Sequence, residues 1–213
     1  MELNILYEDN DIIVCVKPAG IAVQSSHIGA PDMVSLLKNH LHASSPSRSP
    51  YLAVIHRLDQ PVTGLLVFGK NKKAAAKLTR QLTGSGFGKH YLAVLSSIPA
   101  IEEADLTDYM VKDGRTNTSR ICRKDTPNAK EARLHYKLIK KTKASAVADI
   151  TLDTGRHHQI RVQMSALGCP ILGDTKYGAP AADQLHLYAC RLTFHHPTGG
   201  QLLEFNLNIS DIL

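Results

Sequence analysis

His56-Arg57-Leu58-Asp59 sets an imidazole, a guanidinium and a carboxylate in one short turn between two apolar runs, Leu52 to Ile55 and Leu65 to Phe68. An aspartate at a strand end beside an arginine is placed in a cleft, ionised, with fixed dipoles replacing part of its solvation. Such a carboxylate can act as a nucleophile or as a base. Far downstream stands Thr154-Gly155-Arg156-His157-His158-Gln159-Ile160-Arg161, a glycine-containing turn that opens a helix. Turn, N–H donors and arginines at a helix N-terminus suit an anion, a phosphate or a carboxylate. Taken singly, each of these charges reads as an ordinary surface residue. Their conjunction is what suggests a site.

Other chemistries fail on spacing. Gly84-Ser85-Gly86-Phe87-Gly88-Lys89 is glycine-rich, but Thr83 stands at the first glycine position of a phosphate loop. His90 follows the lysine, and the run leads from helix to strand rather than from strand to helix. It reads as a basic turn. The pairs His157-His158 and His195-His196 are adjacent in sequence, a poor arrangement for one metal ion, and no H-E-x-x-H or finger spacing occurs. Cys15, Cys122, Cys169 and Cys190 are scattered without C-x-x-C spacing, which suits inert thiols in a reducing compartment. Neither a metal nor a cofactor is expected.

The elements that must position the two charged turns follow from periodicity. Residues 3–17 read as a hairpin, with Glu8-Asp9-Asn10-Asp11 as its turn and Pro18 as its stop. Residues 43–50 form a Ser/Pro loop that cannot hold a helix. Lys72 to Thr83 reads as a helix with Ala75, Leu78 and Leu82 on one face, and the Gly84–Gly88 loop leads to a strand from His90 to Leu95. Alternation through Ala132, Leu134, Tyr136 and Leu138, then Ala144 to Leu152, predicts a second hairpin. A helix over 158–167 buries Ile160, Met164 and Leu167. Two closing strands, around 185–194 and 201–209, flank the turn His196-Pro197-Thr198-Gly199-Gly200. Strands outnumber helices and pair as hairpins, so the class is α+β with a mainly antiparallel sheet.

Composition narrows the partner. The 213 residues include 25 Lys+Arg against 19 Asp+Glu, a net charge of +6, and 43% are hydrophobic. A moderate basic excess favours an anionic partner, nucleic acid first. Seven Tyr, four Phe and no Trp argue against broad stacking platforms. Collagen, coiled coil, membrane span and disulfide scaffold are excluded. The start, MELNILYEDND, shows no signal peptide, so a cytoplasmic location is expected.

Both charged segments resemble the signatures of RluA-type pseudouridine synthases. HRLDQPVTGLLVFGK is similar to that family's aspartate motif, and TGRHHQIRVQMSALGCPILGDTKYG to its arginine motif. ILYEDNDIIVCVKPAGIAVQSS, GKHYLAVL and LHLYACRLTFHHP resemble three more, in family order, so the likeness runs from residue 5 to 205. The resemblance implies one catalytic domain over residues 1–213, with a mixed, mainly antiparallel sheet, flanking helices and a central catalytic cleft. It implies isomerisation of uridine to pseudouridine in ribosomal or transfer RNA, without metal or cofactor. Asp59 matches the catalytic aspartate, Tyr91 the tyrosine that stacks on the target base, and Arg161 the arginine that pairs with the aspartate. His56, Arg57, Arg156, His158 and Gln159 fall at positions close to the substrate, and Leu187 supplies apolar wall.

The chemistry is consistent with these roles. The N1–C1′ bond must break, the uracil must turn, and C5 must join C1′. A carboxylate does this work by attack on C1′ or by removing a ribose proton, and both routes stay open. An aromatic face holds the loose base while it turns, at ~1–3 kcal/mol per stacked base. Val62-Thr63-Gly64, Gly69-Lys70, Gln163 and Val16-Lys17-Pro18 depart from the family pattern, but none replaces Asp59, Tyr91 or Arg161. The small N-terminal RNA-binding domain of many relatives is expected to be absent, and the chain to act as a monomer without an obligatory protein partner. The alternative is a non-catalytic RNA-binding or RNA-folding protein on the same scaffold.

Overall fold

The computed structural model describes residues 2–25, 29–44 and 49–208. In chain order these form β1 (Asn4–Glu8), β2 (Ile12–Lys17), α1 (Met33–Ser44), β3 (Ala53–Val54), β4 (Thr63–Gly69), α2 (Lys72–Thr83) and β5 (Phe87–Leu95). There follow β6 (Glu103–Asp113), β7 (Thr118–Cys122), β8 (Lys130–Lys141), β9 (Ala146–Leu152), α3 (Gln159–Ala166), a short 3-10 turn (Thr175–Tyr177), β10 (Leu187–His195) and β11 (Leu202–Asn206). Helices and a mainly antiparallel sheet make the class α+β, as the hairpin pattern predicts. The chain divides into two compact units, Met1–Lys89 with Ala189–Leu213, and His90–Tyr188.

In the first unit the strand order is β1-β2-β4-β10, with β3 on β4 and β11 on β10. β2 lies between β1 and β4 and is buried at every residue but Val16, so its sequence, IIVCVK, is a near-continuous apolar run rather than an alternating one. Ile12, Val14, Leu65 and Val67 pack with Phe194 against Ala74 and Leu78 of α2. Asn71 caps α2, its Oδ1 accepting from the Ala74 N–H at 2.9 Å. At Gly64, with φ of +148°, a Cβ would lie 2.5 Å from the Ala189 carbonyl oxygen, so the close approach of β4 and β10 requires glycine there.

In the second unit the order is β5-β9-β8-β6-β7. Tyr136, Ala148, Ile150, Met164 and Ile171 are buried there. Six consecutive residues of α3, Gln159 to Met164, are buried, so this helix has no solvated stripe.

Three sequence expectations need correction, and one hairpin is added to them. Residues 43 and 44 belong to α1, a helix that periodicity missed, while 45–48 of the expected Ser/Pro loop lie outside the described residues. The signal for α1 was Asp32, whose Oδ1 accepts from the Ser35 N–H at 2.7 Å. The strand expected from His90 starts at Phe87, shortening the glycine loop. The strands β6 and β7 have no counterpart among the expected elements, because Met110 and Ser119 are the only buried residues in that hairpin and give no apolar alternation. Leu167 is 39% exposed rather than buried, since it caps the C-terminus of α3 where the chain leaves the core. The last predicted strand residue, Ile209, lies outside the described residues.

Candidate functional site

In the first unit, Asp59 stands on the turn between β3 and β4. Ile55 and Leu58 anchor that turn in the core, at 8% and 7% exposure, while Arg57 is exposed and Asp59 half-buried. Hydrogen bonds fix the turn from several sides. The Val62 N–H donates to the Asp59 carbonyl at 3.0 Å, and the Gly20 N–H to the Gln60 carbonyl at 2.9 Å. The Nζ of Lys17, a fully buried side chain, donates to the carbonyls of Pro18 (2.9 Å), Ile21 (2.8 Å) and Gln60 (2.9 Å). Three carbonyl dipoles thus replace water around the ammonium, and one of them belongs to the residue after Asp59. Burial pulls Lys17 down to about 8, and the negative charge of Asp59 opposes that fall.

His56 supports the same turn from behind. Its Nε2 accepts from the Val67 N–H at 3.3 Å, so the proton of the neutral ring sits on Nδ1. The ring meets Phe87 edge-on, with centroids 5.3 Å apart. Burial, reinforced by the Lys89 charge, pushes His56 down to about 3. The imidazole therefore serves as an uncharged brace.

The second unit carries Tyr91 and the arginine turn. Tyr91 lies on β5, 7% exposed, its register fixed opposite Ile150 of β9. Arg161, on the first turn of α3, is clamped at two points by Asp174: Nε to Oδ2 at 2.8 Å and Nη2 to Oδ1 at 2.7 Å. The guanidinium carbon lies 5.1 Å from the Tyr177 ring centre. Tyr177 Oη accepts from the Ser119 N–H at 2.9 Å and meets His158 Nδ1 at 2.7 Å. Burial, with the charges of Arg161 and His157, pushes His158 down to about 3.

Gln159 is a brace as well. Its Oε1 accepts from the Thr154 hydroxyl (2.8 Å) and the Arg156 N–H (3.0 Å), and its Nε2 donates to the Arg133 carbonyl (3.0 Å). The Arg156 side chain is held by its Nε, which donates to the Glu131 carbonyl at 2.6 Å. Leu187 opens β10 with 3% exposure. Three residues of this machinery, Lys17, Asp174 and Tyr177, were legible as motif letters but not as functional side chains. Their signal was a lysine inside an apolar strand and an aspartate two residues after Leu172 in a glycine-flanked turn. Among the described residues, no three His, Cys, Asp or Glu side chains converge as metal ligands would. Among those residues, too, no helix is long and apolar enough to cross a membrane.

A family model for RNA pseudouridylate synthase matches residues 11–166, a span holding Asp59, Tyr91 and Arg161. The chain belongs to the RNA pseudouridylate synthase family. A ribosomal large subunit pseudouridine synthase D from Nitrosomonas europaea is 35% identical over 98% of this chain and 62% of its own length. Its counterpart from Vibrio cholerae is 34% identical over 99% of the chain and 68% of its own length. This chain thus spans about two thirds of the length of such pseudouridylate synthase relatives. Among solved structures, human RNA pseudouridylate synthase domain containing 4 superposes with a TM-score of 0.81 at 23% identity, covering 96% of this chain and 88% of its own. That likeness establishes the pseudouridylate synthase fold.

Proposed function

We propose that this chain isomerises uridine to pseudouridine within RNA, with Asp59 as the catalytic carboxylate. The match of the pseudouridylate synthase family over residues 11–166 carries this reading, because Asp59 lies in it on a turn braced by hydrogen bonds from Lys17 and the backbone. In the reaction the N1–C1′ bond breaks, C5 bonds to C1′, the C5 proton leaves, and N1 ends protonated. Atoms balance without an oxidant or a second substrate. Tyr91 supplies the face on which the detached uracil turns. Arg161, oriented by Asp174, serves as the cationic partner of the reacting carboxylate, and His56, Arg57, Arg156, His158, Gln159 and Leu187 shape the surroundings of the substrate.

The names of the 34–35% identical relatives favour ribosomal RNA of the large subunit as the substrate over transfer RNA. The same reading has the chain work as a monomer in the cytoplasm. The experiment is incubation of the purified protein with RNA carrying tritium at uridine C5. Release of tritium to water, with pseudouridine at a mapped position, is the expected result. RNA binding without tritium release would instead favour the non-catalytic RNA-folding reading.

A further inference from the structure

The second unit holds an open cleft of about 410 Å³ whose walls include neither Tyr91 nor Arg161. Strand register explains its chemistry. Met110 of β6 lies opposite Lys130 of β8, and Lys112 lies opposite Ser119 of β7. Directly opposed residues, and residues two apart on a strand, share a sheet face. Met110, Lys112, Ser119 and Lys130 therefore project on one side, the side on which Met110 is buried against Val162 of α3. Arg156, from the turn before α3, also lines the cleft.

Three cations thus line one cleft: Lys112 and Lys130 are exposed and Arg156 is half-buried, so all three charges are open to an anionic ligand. No acidic side chain is among the walls. Among the described residues, Lys112, Lys130 and Arg156 have no carboxylate partner, although the nearby Arg133, Lys137 and Lys141 each have one. One wall is preorganised. The Ser119 hydroxyl meets His157 Nδ1 at 2.9 Å, and His157 Nε2 meets the Asn117 side-chain oxygen Oδ1 at 3.2 Å. An apolar floor at Met110, a rim of cations and a volume within the ~300–1,000 Å³ range of ligand pockets fit a nucleotide better than a bare ion.

We propose that this cleft is an RNA subsite that holds one nucleotide of the substrate strand, its phosphate on Lys112, Lys130 and Arg156 and its base over Met110. The assignment rests on the RNA-modifying reading above and adds a place where the strand is gripped. Its test is a Lys112→Gln/Lys130→Gln double variant, with Lys72→Gln/Lys73→Gln on α2 as the charge-matched control. The first is expected to raise KM for RNA at least tenfold with kcat within twofold. Its log–log salt dependence of RNA affinity should flatten by ~0.7 for each phosphate left without its lysine. The control should stay within twofold in both constants.

In parallel, the 13C-methyl resonance of Met110 is followed during titration with uridine 5′-monophosphate or with inorganic phosphate. A shift with the nucleotide that phosphate does not reproduce supports the subsite. Equal shifts with both, no shift with the nucleotide, or a double variant that behaves as the control would overturn it. Normal tritium release by the wild-type protein together with an unchanged KM in the double variant removes the subsite and leaves the proposed function intact. No release by the wild-type protein, with Met110 still answering the nucleotide, does the reverse.

Discussion

Arg161 and Asp174 form a two-point ion pair sealed from solvent, with side-chain exposures of 7% and 1%. Two parallel N–H···O bonds fix the guanidinium plane, which a single bond from a lysine could not do. Removing either charge breaks this pair in a buried site. Asp174→Asn should therefore cost about 3–5 kcal/mol of stability, read from urea unfolding, and should abolish pseudouridine formation. Arg161→Lys keeps the charge and loses the fork, so it should retain more stability than Asp174→Asn yet remain inactive.

Gly173 holds Asp174 in place. Its φ is +82°, and a Cβ there would fall 1.9 Å from the Gln184 carbonyl oxygen, a clash that only backbone movement can relieve. Gly173→Ala combines that clash with the cost of a left-handed backbone. The expected loss is about 3 kcal/mol or more of stability, with activity falling as Asp174 moves. Gly178 has φ of +91° but nothing within 4 Å of its Cβ position, so Gly178→Ala should be clearly milder in the same urea titration.

The contrast between these glycines shows what the sequence could and could not reveal. The predicted helix over Lys72 to Thr83 matches α2 to the residue, because Asn71 caps it and Ala75 and Leu78 lie at helical spacing on one face. The hairpin of β1 and β2 was equally plain, since its turn chemistry is local. The spacing of Ile160 and Met164 predicts α3, but nothing in that spacing says that Gln159, Arg161 and Gln163 are buried too. Their burial depends on partners such as Asp108 and Asp174, 55 and 13 residues away, which no local pattern encodes. Asp59 was legible from its flanking motif. Lys17, the side chain that ties its turn to Pro18 and Ile21, was visible only as a lysine ending an apolar strand.

Asp59→Asn keeps the size of the side chain and removes its charge. It should leave the unfolding midpoint and RNA affinity within twofold of wild type while eliminating tritium release from C5-labelled uridine. Normal product from this variant would remove Asp59 from the chemistry. Tyr91→Leu keeps an apolar side chain on β5 but discards the stacking face. Losing ~1–3 kcal/mol of stacking should slow turnover about 5- to 150-fold.

Acid should destabilise the fold through two histidines. Folded His56 and His158 both take protons only near pH 3, whereas the unfolded side chains do so near the ordinary 6.5. Between those values the unfolded chain binds more protons, so stability is complete above about 6.5 and declines as the pH falls toward 3. Urea midpoints measured from pH 7 to pH 4 should decline steadily. His56→Leu should flatten that decline, since its own proton uptake is gone, even though it starts from a lower stability for want of the Val67 hydrogen bond.

Lys17 gives the opposite end of the pH range its own signature. Folded Lys17 loses its proton near 8 and the unfolded side chain near 10.5, so between these values the unfolded chain again holds more protons. Stability should consequently gain from this residue as the pH rises from 8 to 10.5. Lys17→Met deletes that contribution, and the difference between wild-type and variant midpoints should grow across the interval. At pH 7 the variant leaves the Pro18, Ile21 and Gln60 carbonyls without their shared donor, a loss of about 2–4 kcal/mol at ~1–3 kcal/mol per unsatisfied group with partial relaxation. Because Gln60 follows Asp59 directly, the same variant should lower kcat more than it raises KM. A variant that lost stability but kept full kcat would show that the carbonyl cage holds the fold and does not position the carboxylate.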